Sequence, residues 1–273
     1  MDQTAQVETG QGMYIRVNGL RMYYESYGNG IPVILLHGGL ETCRMWAQVA
    51  SVLSKNYRVI TPDSRGHGRT DNPAESISYP LMAEDFAQFI QVLGLSKPFV
   101  AGYRDGGQTA LCRAINYPGL AHGYMIGATE LTMTGEWRQM MQYVLGFEGP
   151  GSVDFERIAR TNPELIQSWQ AKHDTFHEPG YWRTLLEQAS RYWLSPPQYT
   201  QADFAKIADP ALFWSGDRDA LCPPEQSLAM YRMVKTAELA IIPNADHFSM
   251  MQQIDVAIAI LLNFLERVIE SWQ

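Results

Sequence analysis

The chain predicts an α/β fold: a mostly parallel sheet with helices on both faces and a helical segment inserted late in it. Three observations carry this. Short apolar, β-branched runs alternate with helical stretches through the first half, the segment from about residue 131 to about 208 holds no strand-like run, and the alternation returns after it. Fully apolar strands separated by helices are the pattern of a sheet covered on both faces.

Taken in order, "MYIRV", "RMYYESYG", "PVILLHG", "YRVITPD" and "KPFVAG" read as strands. Between the last two, "YPLMAEDFAQFIQVLGL" places Leu81, Phe86, Phe89, Ile90 and Leu93 on one helical face, and Gly94 supplies the stop. "YMIGATE" reads as a sixth strand. Then come Trp137, Tyr143, Phe147, Phe155, Trp169, Tyr181, Trp182, Tyr192 and Trp193, broken by "GFEGPGS", "TNP", "HEPG" and "SPP". Those breaks are turn chemistry between short helices. "PALFWSG", a helix from about Pro224, the strand "AELAIIP" and the helix "DVAIAILLNFLERVIESW" complete the pattern. The expected organisation is therefore a core part over 1–130, a helical cap over 131–208 and a second core part over 209–273.

The totals narrow the function classes. A chain of 273 residues buries a full core without staples. With 21 Lys+Arg against 29 Asp+Glu the formal charge is -8, and the basic residues are scattered, so phosphate backbones and anionic membranes would be repelled. Neither a nucleic-acid nor a membrane partner is expected. "MDQTAQVETGQGMYIRV" has no basic n-region and no apolar h-region, which predicts a cytoplasmic protein. Cys43, Cys112 and Cys222 are far apart and read as buried free thiols. No GxGxxG follows a first strand and no GxxxxGK[ST] loop occurs, so no organic cofactor is expected.

Five motifs in order resemble those of the α/β-hydrolase superfamily. "LLHGGLET" is similar to the oxyanion loop after the third strand, "DSRGHGRTDNP" to the Asp-x-Arg-Gly-His-Gly turn, and "AGYRDGG" to the nucleophile elbow. "SGDRDALCPP" resembles the loop that carries the acid and "IPNADHF" the loop that carries the catalytic histidine. The resemblance spans nearly the whole chain and implies the eight-stranded α/β-hydrolase fold with a helical cap after the sixth strand. It also implies Asp219 as the acid, with Asp217 the lesser alternative, and His247 as the base. Backbone N–H groups of Gly39 and Asp105 would form an oxyanion hole, and small residues at Gly102, Gly106 and Gly107 would let the elbow turn close.

The nucleophile position departs from the family. It holds Arg104, where relatives carry Ser, Cys or Asp. A guanidinium stays protonated and has no lone pair for attack, so ordinary serine acyl-enzyme chemistry is closed to it. Its rigid fork of donors suits a carboxylate or an enolate. Alternatively it pairs with Asp105, Asp219 or Glu130 and plugs the site. Asp105, adjacent at a sharp turn, points elsewhere and is not expected to take over attack, and Ser64, Ser215 and Ser249 belong to other motifs. Beside a guanidinium, His247 would be a neutral base.

Three functional readings follow. The first is an enzyme, hydrolase or lyase, that acts on a small, partly apolar ester, lactone or carboxylate-bearing substrate without a covalent intermediate: His247 is base, Asp219 orients it and Arg104 anchors developing negative charge. The second is a ligand-binding pseudoenzyme. The third is a serine esterase or lactonase inactivated by a Ser-to-Arg substitution at 104.

Weaker signals have structural readings beside the functional ones. His173 and His177, four apart in "KHDTFHEPG", have helical ligand spacing but lack the His-Glu-x-x-His order, and a helix end explains them as well; no metal is expected. His37 and His67 fall in backbone-shaping motifs. Trp169, Trp182 and Trp193 read as packing between cap helices, whereas Trp137, Met140 and Met141, soon after the sixth strand, are the first candidates to line a substrate pocket.

Overall fold

A computed structural model describes residues 10–272. The reading of the leading segment as free of a targeting signal falls largely outside the described residues. Eight strands form one sheet: β1 (Gln11–Val17), β2 (Leu20–Tyr27), β3 (Pro32–Leu36), β4 (Arg58–Pro62), β5 (Phe99–Tyr103), β6 (Gly123–Gly127), β9 (Ala211–Gly216) and β10 (Ala237–Ile242). They lie in the order β1-β2-β4-β3-β5-β6-β9-β10. The pairs from β4 onward are parallel, and β1 and β2 join antiparallel at one edge. The expected strands all form, because each is an apolar run that burial on both faces rewards.

Two cores result. On one face α1 (Ala47–Leu53) and α11 (Ile254–Glu270) pack Val49, Leu53, Leu261, Phe264 and Leu265 against Val33, Leu35, Val59 and Phe99. On the other, α2 (Tyr79–Val92), α3 (Asp105–Asn116) and α9 (Pro224–Met233) cover the sheet with Phe86, Phe89, Leu111, Ile115 and Met230. The predicted helix is α2, which starts after Ser78, whose hydroxyl accepts the Leu81 N–H at 3.3 Å. Gly94, at φ +64°, follows its end.

Between β6 and β9 lie α4 (Gly135–Tyr143), α5 (Phe155–Thr161), α6 (Pro163–Trp169), α7 (Tyr181–Trp193) and α8 (Gln201–Phe204). Their buried residues, among them Trp137, Ile158, Trp182 and Leu186, are continuous with the second core. One expectation is corrected: the segment does contain strand, a hairpin of β7 (Phe147–Gly149) and β8 (Ser152–Val153). Strands of three and two residues around Pro150-Gly151 are too short to show a period, so the stretch read as a turn alone. The short α10 (Ser249–Gln252) completes the set. No described helix is long and apolar enough to cross a membrane.

Candidate active site

The site sits at the carboxyl ends of β5, β6 and β9. β5 runs straight into α3 through Arg104, the last residue before the helix, whose backbone is held at φ 56°, ψ -118°. A non-glycine residue there costs on the order of 1–3 kcal/mol and persists only when its surroundings impose it. Here they do. The Arg104 N–H donates to Gly127 O at 2.9 Å, tying the turn to the end of β6. A Cβ at Gly102 would collide with the Gly106 carbonyl, one at Gly106 with the Leu36 carbonyl, and one at Gly107 with the Thr129 hydroxyl. The three glycines thus permit the tight strand-to-helix turn that the sequence predicts.

His247 and Asp219 meet as expected. His247 Nδ1 lies 2.9 Å from Asp219 Oδ2, and Asp219 Oδ1 accepts the N–H groups of Leu221 and Cys222 at 2.9 and 2.7 Å. Asp217 instead accepts the Ala245 N–H and has no contact with the imidazole. Tyr103, the residue before the turn, donates its hydroxyl to His247 O at 2.7 Å and shares a hydrogen bond with Ser249 Oγ at 3.0 Å. The histidine loop is therefore seated on β5 itself. His247 is only 3% exposed and its Nε2 has no partner. Burial chiefly, and the Arg104 charge after it, push its pKa below the usual histidine value. The sequence points to the guanidinium as the cause of such a shift; burial is the larger one.

Arg104 does not plug the site by pairing with Asp105, Asp219 or Glu130. Among the described residues it makes no ion pair, and its guanidinium carbon lies 5.4 Å from the centroid of the exposed Phe248 ring. The carboxylates are engaged elsewhere or face the cavity alone. A small cavity beside the turn, with about 20 Å³ open to the centre of a water molecule, is lined by Tyr79, Arg104, Asp105, Gln108, Glu130, Trp137, Cys222 and His247 among others. Its size matches roughly one water.

Several side chains here were not legible as site residues. Asp105 Oδ2 accepts Trp193 Nε1–H at 2.7 Å and the Tyr192 hydroxyl at 2.8 Å, and its Oδ1 accepts the Tyr79 hydroxyl at 3.2 Å. Two donors come from the end of α7, so Trp193, read as helix packing, also straps the cap to the first residue of α3. The Asp105 carboxylate also crowds Gly39, where any Cβ would strike it and Trp193. Glu130, three residues past β6, is 6% exposed with Oε2 unpartnered. Burial, and secondarily Asp105, push its pKa up to about 8. Glu130 appeared in the sequence only as a conceivable partner for Arg104.

Of the three pocket candidates, Trp137 lines the cavity, its ring 5.8 Å from His247. Met140 and Met141 do not line it, a correction. They follow Trp137 by three and four residues along α4, outside the cavity's lining; Met141 packs in the core. Ser64, Ser215 and Ser249 do not line the cavity either.

The histidines outside the site serve the backbone. His37 accepts the Ser64 N–H at Nε2 (2.9 Å), and His67 Nδ1 lies 2.9 Å from Arg65 O. Arg65 itself is forked onto Asp85 at 2.8 and 2.9 Å. His173, buried in the cap, takes the Gly68 N–H at Nδ1 (3.0 Å) and donates from Nε2 to Leu40 O (3.1 Å). His177 instead stacks on Tyr181 at 3.9 Å, so the pair does not converge as a ligand set. Among the described residues, Asp219, Cys222 and His247 bring ligand atoms within 4.8 Å of one another. Burial drives the Cys222 thiol pKa well up.

The family model for "Alpha/beta hydrolase family" matches residues 33–259. A non-heme haloperoxidase of Rhodococcus erythropolis is 26% identical over 91% of this chain and 97% of its own. A soluble epoxide hydrolase of Corynebacterium sp. (strain C12) is 36% identical over 34% of this chain, a match that spans about a third of that relative's length. Among solved structures, a thermophilic esterase from Thermogutta terrifontis superposes with a TM-score of 0.74 at 25% identity, covering 94% of this chain and 99% of its own.

Proposed function

Because the chain belongs to the alpha/beta hydrolase family, we propose that it is a hydrolase of a small, partly apolar ester or lactone that uses water directly as nucleophile. The observation that carries this reading is the one-water cavity bounded by Arg104 and by His247, whose Nε2 is unengaged. A neutral imidazole with its other nitrogen on Asp219 is ready to take a proton from that water. The water oxygen then attacks the carbonyl carbon. The negative charge that develops on the carbonyl oxygen faces the Arg104 guanidinium and the N–H groups of Asp105 and Gly39, a preorganised set of donors. The Asp105 N–H is free because the first N–H groups of a helix have no partner within it. The haloperoxidase, epoxide hydrolase and esterase relatives are consistent with small-molecule chemistry at such a site.

A second reading, a serine-type esterase disabled by the residue at 104, draws support from the strained elbow geometry at Arg104. Hydrolysis of short and long acyl esters and lactones by the protein, Arg104→Ser and His247→Ala separates the two. Direct water attack predicts turnover by the Arg104 protein, lost in His247→Ala. The second reading predicts turnover with a trapped acyl-enzyme in Arg104→Ser alone. Binding without turnover in all three would make the pocket a ligand receptor.

A further inference from the structure

We infer that Glu130 is the proton donor of this site, a neutral carboxyl that protonates the leaving-group oxygen while His247 deprotonates the attacking water. The inference rests on the hydrolytic reading above for its step, but its starting point is the disposition of two carboxyls in one small cavity. Asp105 and Glu130 both line it. Asp105 accepts three hydrogen bonds, from Tyr79, Tyr192 and Trp193, and these favour its anion against the burial that pushes its pKa up, whereas Glu130 Oε2 meets no such donor. Glu130 is buried, its Oε2 meets no donor, and the Asp105 carboxyl in the same cavity opposes a negative charge on it. A buried carboxyl with no donors to stabilise its anion keeps its proton.

The groups facing Glu130 agree with this assignment. Asp105 from α3 is held by three donors, burial pushes the Tyr79 hydroxyl from α2 and the Cys222 thiol after β9 up, and burial and then Arg104 push His247 down. Arg104 is the cation nearby, and it lies toward Phe248 rather than paired with Glu130. Asp219 is occupied by His247, Leu221 and Cys222. The uplift of Glu130 to about 8 follows from the same burial.

The division of labour has a chemical reason. A second proton carrier means that His247 Nε2 need not reach both the attacking water and the leaving oxygen within one turnover. With Glu130 as donor the steps balance. Water loses a proton to His247 Nε2 as its oxygen bonds to the carbonyl carbon. The bond from that carbon to the leaving oxygen then breaks, its electron pair going to the oxygen, which takes the Glu130 proton. The imidazolium proton returns to Glu130 through solvent, and no oxidant or further reactant is consumed.

The test compares Glu130→Gln with the parent on two probes that share an acyl group, ethyl butyrate and 4-nitrophenyl butyrate, across pH. Ethoxide requires a proton to leave and nitrophenolate does not. For ethyl butyrate kcat falls by about 10²-fold or more, for the aryl ester at least tenfold less, and the alkaline limb near pH 8 disappears in the variant. Equal losses on both esters, or an unchanged alkaline limb, overturn the inference. An infrared titration reads the carboxyl without turnover: a protonated-carboxyl band at pH 7 that vanishes in Glu130→Gln supports it, and absence of that band in the parent overturns it. A parent inert to both esters but carrying the band overturns the hydrolytic reading and with it the donor step, leaving Glu130 a neutral carboxyl, whereas an active parent without the band overturns the donor alone, so the two failures are distinct.

Discussion

Trp193 Nε1 donates to Asp105 Oδ2 at 2.7 Å, joining the last residue of the long cap helix to the first residue of the helix after the strand-to-helix turn. With the hydroxyls of Tyr192 and Tyr79 on the same carboxyl group, the cap, α3 and α2 share one buried acceptor. Removing that acceptor leaves three donors without a partner. Asp105→Ala is expected to lower stability by about 3 kcal/mol or more in urea unfolding. Trp193→Phe, which loses one donor and keeps most of the packing, is expected to cost about 1–2 kcal/mol.

Arg104 holds a left-handed backbone that glycine adopts without strain. Arg104→Gly is expected to raise the unfolding free energy by roughly 1 kcal/mol, while turnover of the ester panel falls. A thermal melt and an activity assay on the same sample check both halves. Unchanged stability would mean the strain is absorbed elsewhere.

His37, His67 and His173 form a buried, neutral group in which the His67 ring lies between the other two, at 5.1 and 5.8 Å. Burial lowers all three, His67 to about 4 and His173 to about 3. Such a group binds fewer protons folded than unfolded, so its stabilising effect is complete above about pH 6.5 and is lost as pH falls toward these values. Urea midpoints are expected to drop steadily from pH 6.5 to 4, with up to about 3 kcal/mol from each of His67 and His173. His173→Gln should flatten part of that slope.

Cys43, Cys112 and Cys222 are all buried as free thiols, and burial raises the pKa of each. The native protein is expected to resist alkylation by iodoacetamide at pH 8, and all three thiols to react once urea unfolds it. Mass spectrometry of the labelled peptides gives the count.

The sheet was legible because its strands are apolar runs bounded by glycine, proline or aspartate, and burial on both faces acts on each run locally. Asp219 and His247 were legible because each sits in a short motif with a definite spacing. The clamp on Asp105 was not, since Tyr79, Tyr192 and Trp193 lie 26, 87 and 88 residues from it and each alone looks like core. Glu130 failed to stand out for the same reason: isolation from every donor is a property of the folded neighbourhood. Met140 and Met141 were placed by proximity to β6, which ignores how fast a helix carries side chains away from its start.

The strand-to-helix turn at residue 104 is fastened by its amide on Gly127 and by the absence of side chains at Gly102, Gly106 and Gly107, and none of those ties involves the guanidinium. The mount and the tool it carries are thus independent parts. Any side chain placed at residue 104 is therefore expected to start from the same backbone position, and exchanging it to leave the frame as it is.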